Sequence, residues 1–388
     1  MKHSSILSCL ALALFSLTAA CGGDGDTAAT SQGTGATASS SGSGNGGDGG
    51  AATTTGAGGE TGTSTGTSTS TSTSGAGSTT GSSTGSSSGT GGGMTAVSDP
   101  NLDGPYPFKE IDDTTTVAAT GHMVPIHCAY PTGGPSAGPY PVILVAHGFQ
   151  LPAAQYKSYV KRLASFGYVA LTAEFPASIF GVNNVENAKD LLGGLDWAKT
   201  KAELAGKADV TKAGATGHSL GGKVSILAAS MDPRIKATIT LDPVDSAMNC
   251  TPQNCPDASS LVPTLTIPTG FLGETTDSTA GSFGQACAPA ADNYTTFYAG
   301  AKSPSLSVTV TGANHMSFLD DTASCGFTCS FCKAATAPNA QVNSLARAYV
   351  VAFYERHLRG DLAYDTYLTG AVAKARYVTT NQVTIESK

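Results

Sequence analysis

Residues 213–231 read AGATGHSLGGKVSILAASM. Ala213 to Thr216 are small or β-branched and apolar enough for a short buried strand. Gly217-His218-Ser219 then permits a sharp turn, and Leu220 to Met231 is a Pro-free, largely apolar stretch that predicts a helix. A strand feeding straight into a helix through a glycine-flanked turn is the repeating unit of a parallel sheet.

The same alternation extends in both directions. Pro141 to Ala146 (PVILVA) is continuously apolar and bounded by Pro and by His147-Gly148, as expected for a strand buried on both faces. Ala153 to Phe166 sets Tyr156, Tyr159, Val160 and Leu163 at helical spacing and stops at Gly167, and Tyr168 to Ala173 is the next strand. A helix from about Val185 to Ala202 carries Trp197, which is read as a core residue. Beyond Met231 the pattern predicts strands at Ile235 to Leu241, Pro263 to Ile267 and Leu306 to Thr311, then a long helix from about Gln341 to Leu358. Strands separated by helices imply an α/β fold, a mostly parallel central sheet with helices on both faces, whose chemistry sits beyond the carboxyl ends of the strands.

Gly217-His218-Ser219-Leu220-Gly221 fits G-x-S-x-G, but so do Gly62–Gly66, Gly81–Gly85 and Gly85–Gly89, so the pattern alone says nothing. Only Ser219 has a strand before it and a helix after it, the setting in which a strained turn exposes a nucleophilic hydroxyl. A serine needs a base, and a base needs an acid that orients it; in this architecture they follow in the order Ser, acid, His. Two histidines lie downstream. His357 sits in the last turn of the long helix, where the helix dipole accounts for it, and His315 lies in a loop past the Leu306–Thr311 strand, so His315 is the candidate base. Asp242, directly after the Ile235–Leu241 strand, is the leading acid, with Asp245, Glu274 and Asp277 as rivals. Backbone N–H groups of Leu220 and Phe149, each just past a strand end, are the candidate oxyanion donors. His147 and His218 are read as supports of those two loops. No metal or cofactor motif enters this scheme.

Five blocks carry a family resemblance: PVILVAHGF (141–149), GHSLGGK (217–223), LDPVD (241–245), ACAPAADNYTTFY (286–298) and GANHMSFLDD (312–321). From Pro141 to the last long helix the chain resembles the chlorophyllases and related bacterial hydrolases, and it is similar more distantly to cutinase-like and polyester-cleaving serine esterases. The resemblance implies the α/β-hydrolase fold and a Ser219–Asp242–His315 triad, favouring Asp242 over Glu274. It implies cleavage of carboxylic esters with an apolar group on one side. Leu220 departs from the plant chlorophyllases, which carry Arg after the nucleophile. A silent binding lipoprotein on the same fold, and an acyltransferase or amidase using the same triad, are the alternative expectations.

The chain has 388 residues, 40% of them hydrophobic, and a net charge of -7. Asp24, Asp26, Asp48 and Glu60 supply four of those charges, so the rest is nearly neutral, with no basic run to suggest a nucleic-acid partner. Met1 to Ala20 reads as an export signal ending in Thr18-Ala19-Ala20 before Cys21, a pattern expected to place lipid on Cys21 of an exported bacterial lipoprotein at the outer membrane or cell surface. Residues 21–94 are read as a disordered tether: from 24 to 93 there is no Leu, Ile, Val or aromatic residue, and about 70 such residues reach roughly 45 Å. Residues 95–388 are the catalytic domain. Of nine cysteines, seven remain after Cys9 and Cys21. Export favours disulfides: Cys250 with Cys255, Cys287 with the Cys325–Cys332 region, and Cys128 as the buried odd thiol.

Overall fold

A computed structural model describes residues 97–176, 182–246, 250–281 and 284–388. The signal, Cys21 and tether readings, and Phe180, Met248 and Phe283 within the domain, lie outside the described residues. The strands are β1 (Phe108–Thr116), β2 (Met123–Pro131), β3 (Tyr140–Ala146), β4 (Val169–Ala173), β5 (Ala208–His218), β6 (Ile235–Leu241), β7 (Thr269–Glu274), β8 (Ser305–Val310) and β9 (Val383–Ser387). They form one sheet in the order β1-β2-β4-β3-β5-β6-β7-β8-β9. β4, β3, β5, β6, β7 and β8 run parallel, and the β1/β2, β2/β4 and β8/β9 pairs are antiparallel.

Strand periodicity divides the core in two. Val142 and Leu144 face one apolar layer with Leu191 and Leu195 of α2 (Asn184–Thr200) and Val224 and Leu227 of α3 (Leu220–Met231). Ile143 and Val145 face the other, with Tyr159, Val160 and Leu163 of α1 (Lys157–Ser165) and a long helix, Asn339–Tyr354. Side chains alternate across a strand, so one run of apolar residues serves both layers. Both ends of α2 are fixed by local chemistry: the Asn183 side chain accepts the Glu186 N–H at 3.1 Å, and Thr200 bonds back to the carbonyls of Asp196 and Trp197. Trp197 is buried as read, and its indole N–H donates to Asp113 at 2.8 Å.

Two readings need correction. Pro263 and Thr264 belong to a 3-10 turn, Ser259–Thr264, and the strand starts after Pro268, at Thr269. The strand TGFLGE escaped notice because Gly270 and Gly273 interrupt its apolar pattern; a Cβ at Gly273 would lie 2.0 Å from the Tyr294 ring, which occupies that space. His357 does not act as a charge on the helix end. After Tyr354 the chain opens into a π-turn, Glu355–Arg359, and His357 packs on Phe353 with ring centroids 4.5 Å apart. Burial, then the Arg356 charge, pushes it down to about 4.

Disulfides join Cys250–Cys255, Cys287–Cys332 and Cys325–Cys329, and Cys128 is fully buried with its thiol pushed up by burial. Among the described residues no helix is long and apolar enough to cross a membrane. Peptide mapping of unreduced protein is expected to return those three pairings, with Cys128 alkylated only after denaturation. Alkylation of any of the other six without reductant contradicts the pattern.

Candidate active site

Parallel strands deliver their carboxyl ends to one edge of the sheet, and the candidate residues are spent there. Ala146 of β3 is registered with Gly217 of β5, and His218 with Leu241 of β6, so the loops that follow leave side by side. Ser219 occupies the single residue between β5 and α3 at φ 57° and ψ -123°, a left-handed backbone that a side chain adopts only under constraint. The constraint is visible: the Ser219 N–H donates to the Leu241 carbonyl at 3.0 Å, and the Val244 N–H donates to the Ser219 carbonyl at 3.3 Å. Gly221 packs directly beneath β3, where a Cβ would fall 2.2 Å from the Ala146 carbonyl oxygen. From Leu220 to Ala228 every residue of α3 is buried.

Asp242 directly follows β6, also at positive φ (43°), and its N–H donates to the Leu272 carbonyl at 2.7 Å. Its Oδ2 lies 2.6 Å from His315 Nδ1, and His315 Nε2 lies 2.8 Å from the Ser219 hydroxyl. Asp242 and His315 are 0% and 3% exposed, so the ion pair that forms when the imidazole is protonated is shielded from solvent. Burial raises the Asp242 carboxyl, whose Oδ1 has no hydrogen-bond partner among the described residues, and the bond to His315 opposes the rise. Burial would depress His315, yet the Asp242 bond and the charges of Asp242, Glu274 and Asp277 prevail and hold it above its ordinary value of 6.5.

The rival acids are committed elsewhere. Asp245 pairs with the buried Lys223 at 3.1 Å and accepts the N–H groups of Ala258 and Ser259 at 2.9 and 2.7 Å. Glu274 accepts the Thr276 and Asp277 N–H groups, and burial followed by the Asp242 charge pushes it up to about 7. Asp277 bonds to backbone: Oδ2 accepts the His315 N–H at 2.8 Å and Oδ1 the Lys333 N–H at 2.8 Å. Together with Thr276, which donates to the Ala313 carbonyl at 2.5 Å, and Thr275, which accepts the Gly312 N–H at 2.9 Å, it clamps the loop that carries His315. The sequence offers Asp277 only as a competing acid; its role as a clamp is not marked there, because β7, the strand it follows, is itself hidden by its glycines.

Leu220 is the first residue of α3, so its N–H has no partner within the helix. Phe149 is half-buried in the loop after β3. His147 and His218 do support these loops: His147 stacks on Phe175 with centroids 4.0 Å apart, and His218 bonds to the His315 carbonyl at 2.7 Å. The one group of potential metal ligands found among the described residues is Asp277, Cys287 and Cys332, and its two sulfurs are joined as a disulfide.

The family model described as Chlorophyllase matches residues 102–379. The chain belongs to the chlorophyllase family. Its chlorophyllase region holds β1 to β8 and every site residue above, and ends just before β9. The chain is 28% identical to Chlorophyllase-1 of Arabidopsis thaliana over 278 residues, 67% of this chain and 84% of that one. It is 24% identical to the bis(hydroxyethyl) terephthalate hydrolase of Streptomyces coelicolor over 269 residues, 69% and 72% of the two chains. A shorter match, 31% over 130 residues (30% of this chain, 44% of the other), is to a putative carboxymethylenebutenolidase of Methylorubrum extorquens.

Because backbone on both sides of Gly221 is fixed by the sheet, Gly221→Ala is expected to destabilise the fold by about 1–3 kcal/mol, the range for overpacked sites. Denaturant unfolding checks this; an unchanged midpoint would show that the turn can relax.

Proposed function

We propose that this chain hydrolyses carboxylic esters through an acyl-enzyme on Ser219, acting on esters that carry an apolar group. That it is a carboxylic ester hydrolase follows from its family and from relatives whose names denote ester-cleaving enzymes. The finer reading rests on one observation, the unbroken contact from Asp242 to His315 to Ser219 at 2.6 and 2.8 Å.

In this reading His315 Nε2 takes the Ser219 proton as the oxygen attacks the ester carbonyl, and the imidazolium is stabilised through Nδ1–H by the Asp242 carboxylate. The negative charge on the former carbonyl oxygen is received by the N–H groups of Leu220 and Phe149. The tetrahedral centre collapses, the alcohol leaves with the proton from His315, and water repeats the sequence with His315 as base to release the acid. Leu220 packs in the buried core and Phe149 is half-buried against it, so the support for an apolar substrate group comes from the relatives. The Arabidopsis and Streptomyces relatives, named for chlorophyll and for a terephthalate ester, are consistent with such substrates.

Ser219→Ala is expected to lower kcat on p-nitrophenyl esters by at least about 10⁴-fold, as losses of a nucleophile do elsewhere, and to abolish labelling by a fluorophosphonate probe. Full activity in that variant would refute the assignment.

The base must be unprotonated to act, so kcat/KM rises with pH through the pKa of His315. Asp242, Glu274 and Asp277 hold that value above 6.5, and the midpoint of the acid limb is expected above 6.5. In Asp242→Asn the limb should move down and kcat fall by about 10⁴-fold, the loss seen when a triad acid is neutralised. A wild-type midpoint below 6.5 would contradict the electrostatics described.

A further inference from the structure

His218 precedes the nucleophile and takes no part in the proton transfers, yet it is completely buried and both of its ring nitrogens are engaged. Nε2 lies 2.7 Å from the His315 carbonyl oxygen, and Nδ1 lies 2.9 Å from the Tyr156 hydroxyl. The same hydroxyl accepts the Gly148 N–H at 3.1 Å. These contacts admit one direction only. A carbonyl oxygen can only accept, so Nε2 carries the hydrogen; a neutral ring then offers Nδ1 as an acceptor, and Tyr156 fills it with its O–H while receiving the Gly148 N–H on oxygen.

Neutrality follows from the surroundings as well. The rings of His218 and His315 lie 4.7 Å apart, and His315 becomes a cation in the reaction proposed above. A second charge there would oppose it. Burial, then the His315 charge, depresses His218 far below its ordinary range. Among the described residues, the other aromatic rings beside it are Phe318, with centroids 6.0 Å apart, and Tyr156, itself fully buried. Space is matched to the same end: a Cβ on Gly148 would lie 3.2 Å from both His218 Nδ1 and the Tyr156 oxygen.

We propose that His218 and Tyr156 are positioning residues of this site: the chain from Gly148 N–H through Tyr156 and His218 to the His315 carbonyl holds the loop bearing the Phe149 N–H and the loop bearing the base in one register. His218 suits the task because its backbone belongs to β5, paired there with Leu241, so its ring is a strut rooted in the sheet. The inference rests on the reading of Ser219, His315 and Phe149 given under the proposed function. Small displacements of such groups are costly, since a 1 Å misplacement can lower a rate by about 100-fold.

The test compares Tyr156→Phe, His218→Leu, His218→Gln and the Tyr156→Phe/His218→Leu double variant, with kcat expressed per active site titrated by a phosphonate and with Ser219→Ala as the reference. Tyr156→Phe should lower kcat about tenfold and His218→Leu by about 10- to 100-fold, with KM within about twofold, as expected of lost alignment rather than lost binding. His218→Gln, whose amide N–H can replace Nε2–H at the His315 carbonyl, should recover at least fivefold over His218→Leu. In the double variant the two losses should not multiply, because either change alone breaks the chain. Should His218→Leu not fold, Tyr156→Phe and His218→Gln decide between the same outcomes. Wild-type kcat per titrated site in Tyr156→Phe, or losses that multiply in the double variant, would overturn the proposal while leaving the acyl-enzyme reading intact. Activity surviving in Ser219→Ala would instead remove the reading on which it rests.

Discussion

The imidazole of His315, closed in between a buried carboxylate and a strained serine, is the constraint that the edge of this sheet is built to satisfy. Burying a carboxylate with one unpaired oxygen is unfavourable unless a partner is held against it. Asp242 has that partner at 2.6 Å, and it stays there because the loop of His315 is tied down from the β7 side by Thr275, Thr276 and Asp277. The serine is held equally hard, since its own N–H and C=O are bonded to Leu241 and Val244 on either side of Asp242. Ser219 and Asp242 are thus braced against each other through the backbone before any side chain meets.

Four carboxylates lie at or just past the ends of β6 and β7, and they divide the work by what each can reach. Asp242 orients the ring, Asp277 grips the backbone of the same histidine, and Glu274 caps the turn that presents Asp277. Asp245, although within three residues of Asp242, turns to Lys223 and fastens the segment to α3. Lone buried charges would be costly here; each of these is paired or receives N–H groups, which is why so acidic an edge can be so deeply buried.

Most of this was legible in the residues, for physical reasons. Pro141–Ala146 and Ala213–Met231 announce themselves because a strand covered on both faces is continuously apolar and a helix buried from Leu220 to Ala228 carries few polar residues, Lys223 and Ser225 among them. Other strands do not: β1 is FKEIDDTTT, whose polar residues face outward on alternate positions, and β7 hides behind two glycines that yield space to Ile239 and to the Tyr294 ring. At the site, Ser219 was singled out by the strand before it and the helix after it and His315 by its place along the chain, whereas the choice among Asp242, Asp245, Glu274 and Asp277 turned on partners contributed by distant segments, such as Lys223 and Lys333. Tyr156 enters the sequence pattern only as an apolar position of a helix, and its role emerges when its hydroxyl is seen against His218.

Helix α3 has no solvent-facing side until Ala229, and its first turn is wedged between the backbones of β3 and of the Asp242 segment. Nothing in it is free to be reshaped to suit a different molecule. Whatever distinguishes one acceptable ester from another must therefore be supplied by the connections that follow the strand ends. Exchanging those connections between relatives should retune selectivity while the bond-breaking apparatus beneath stays as it is.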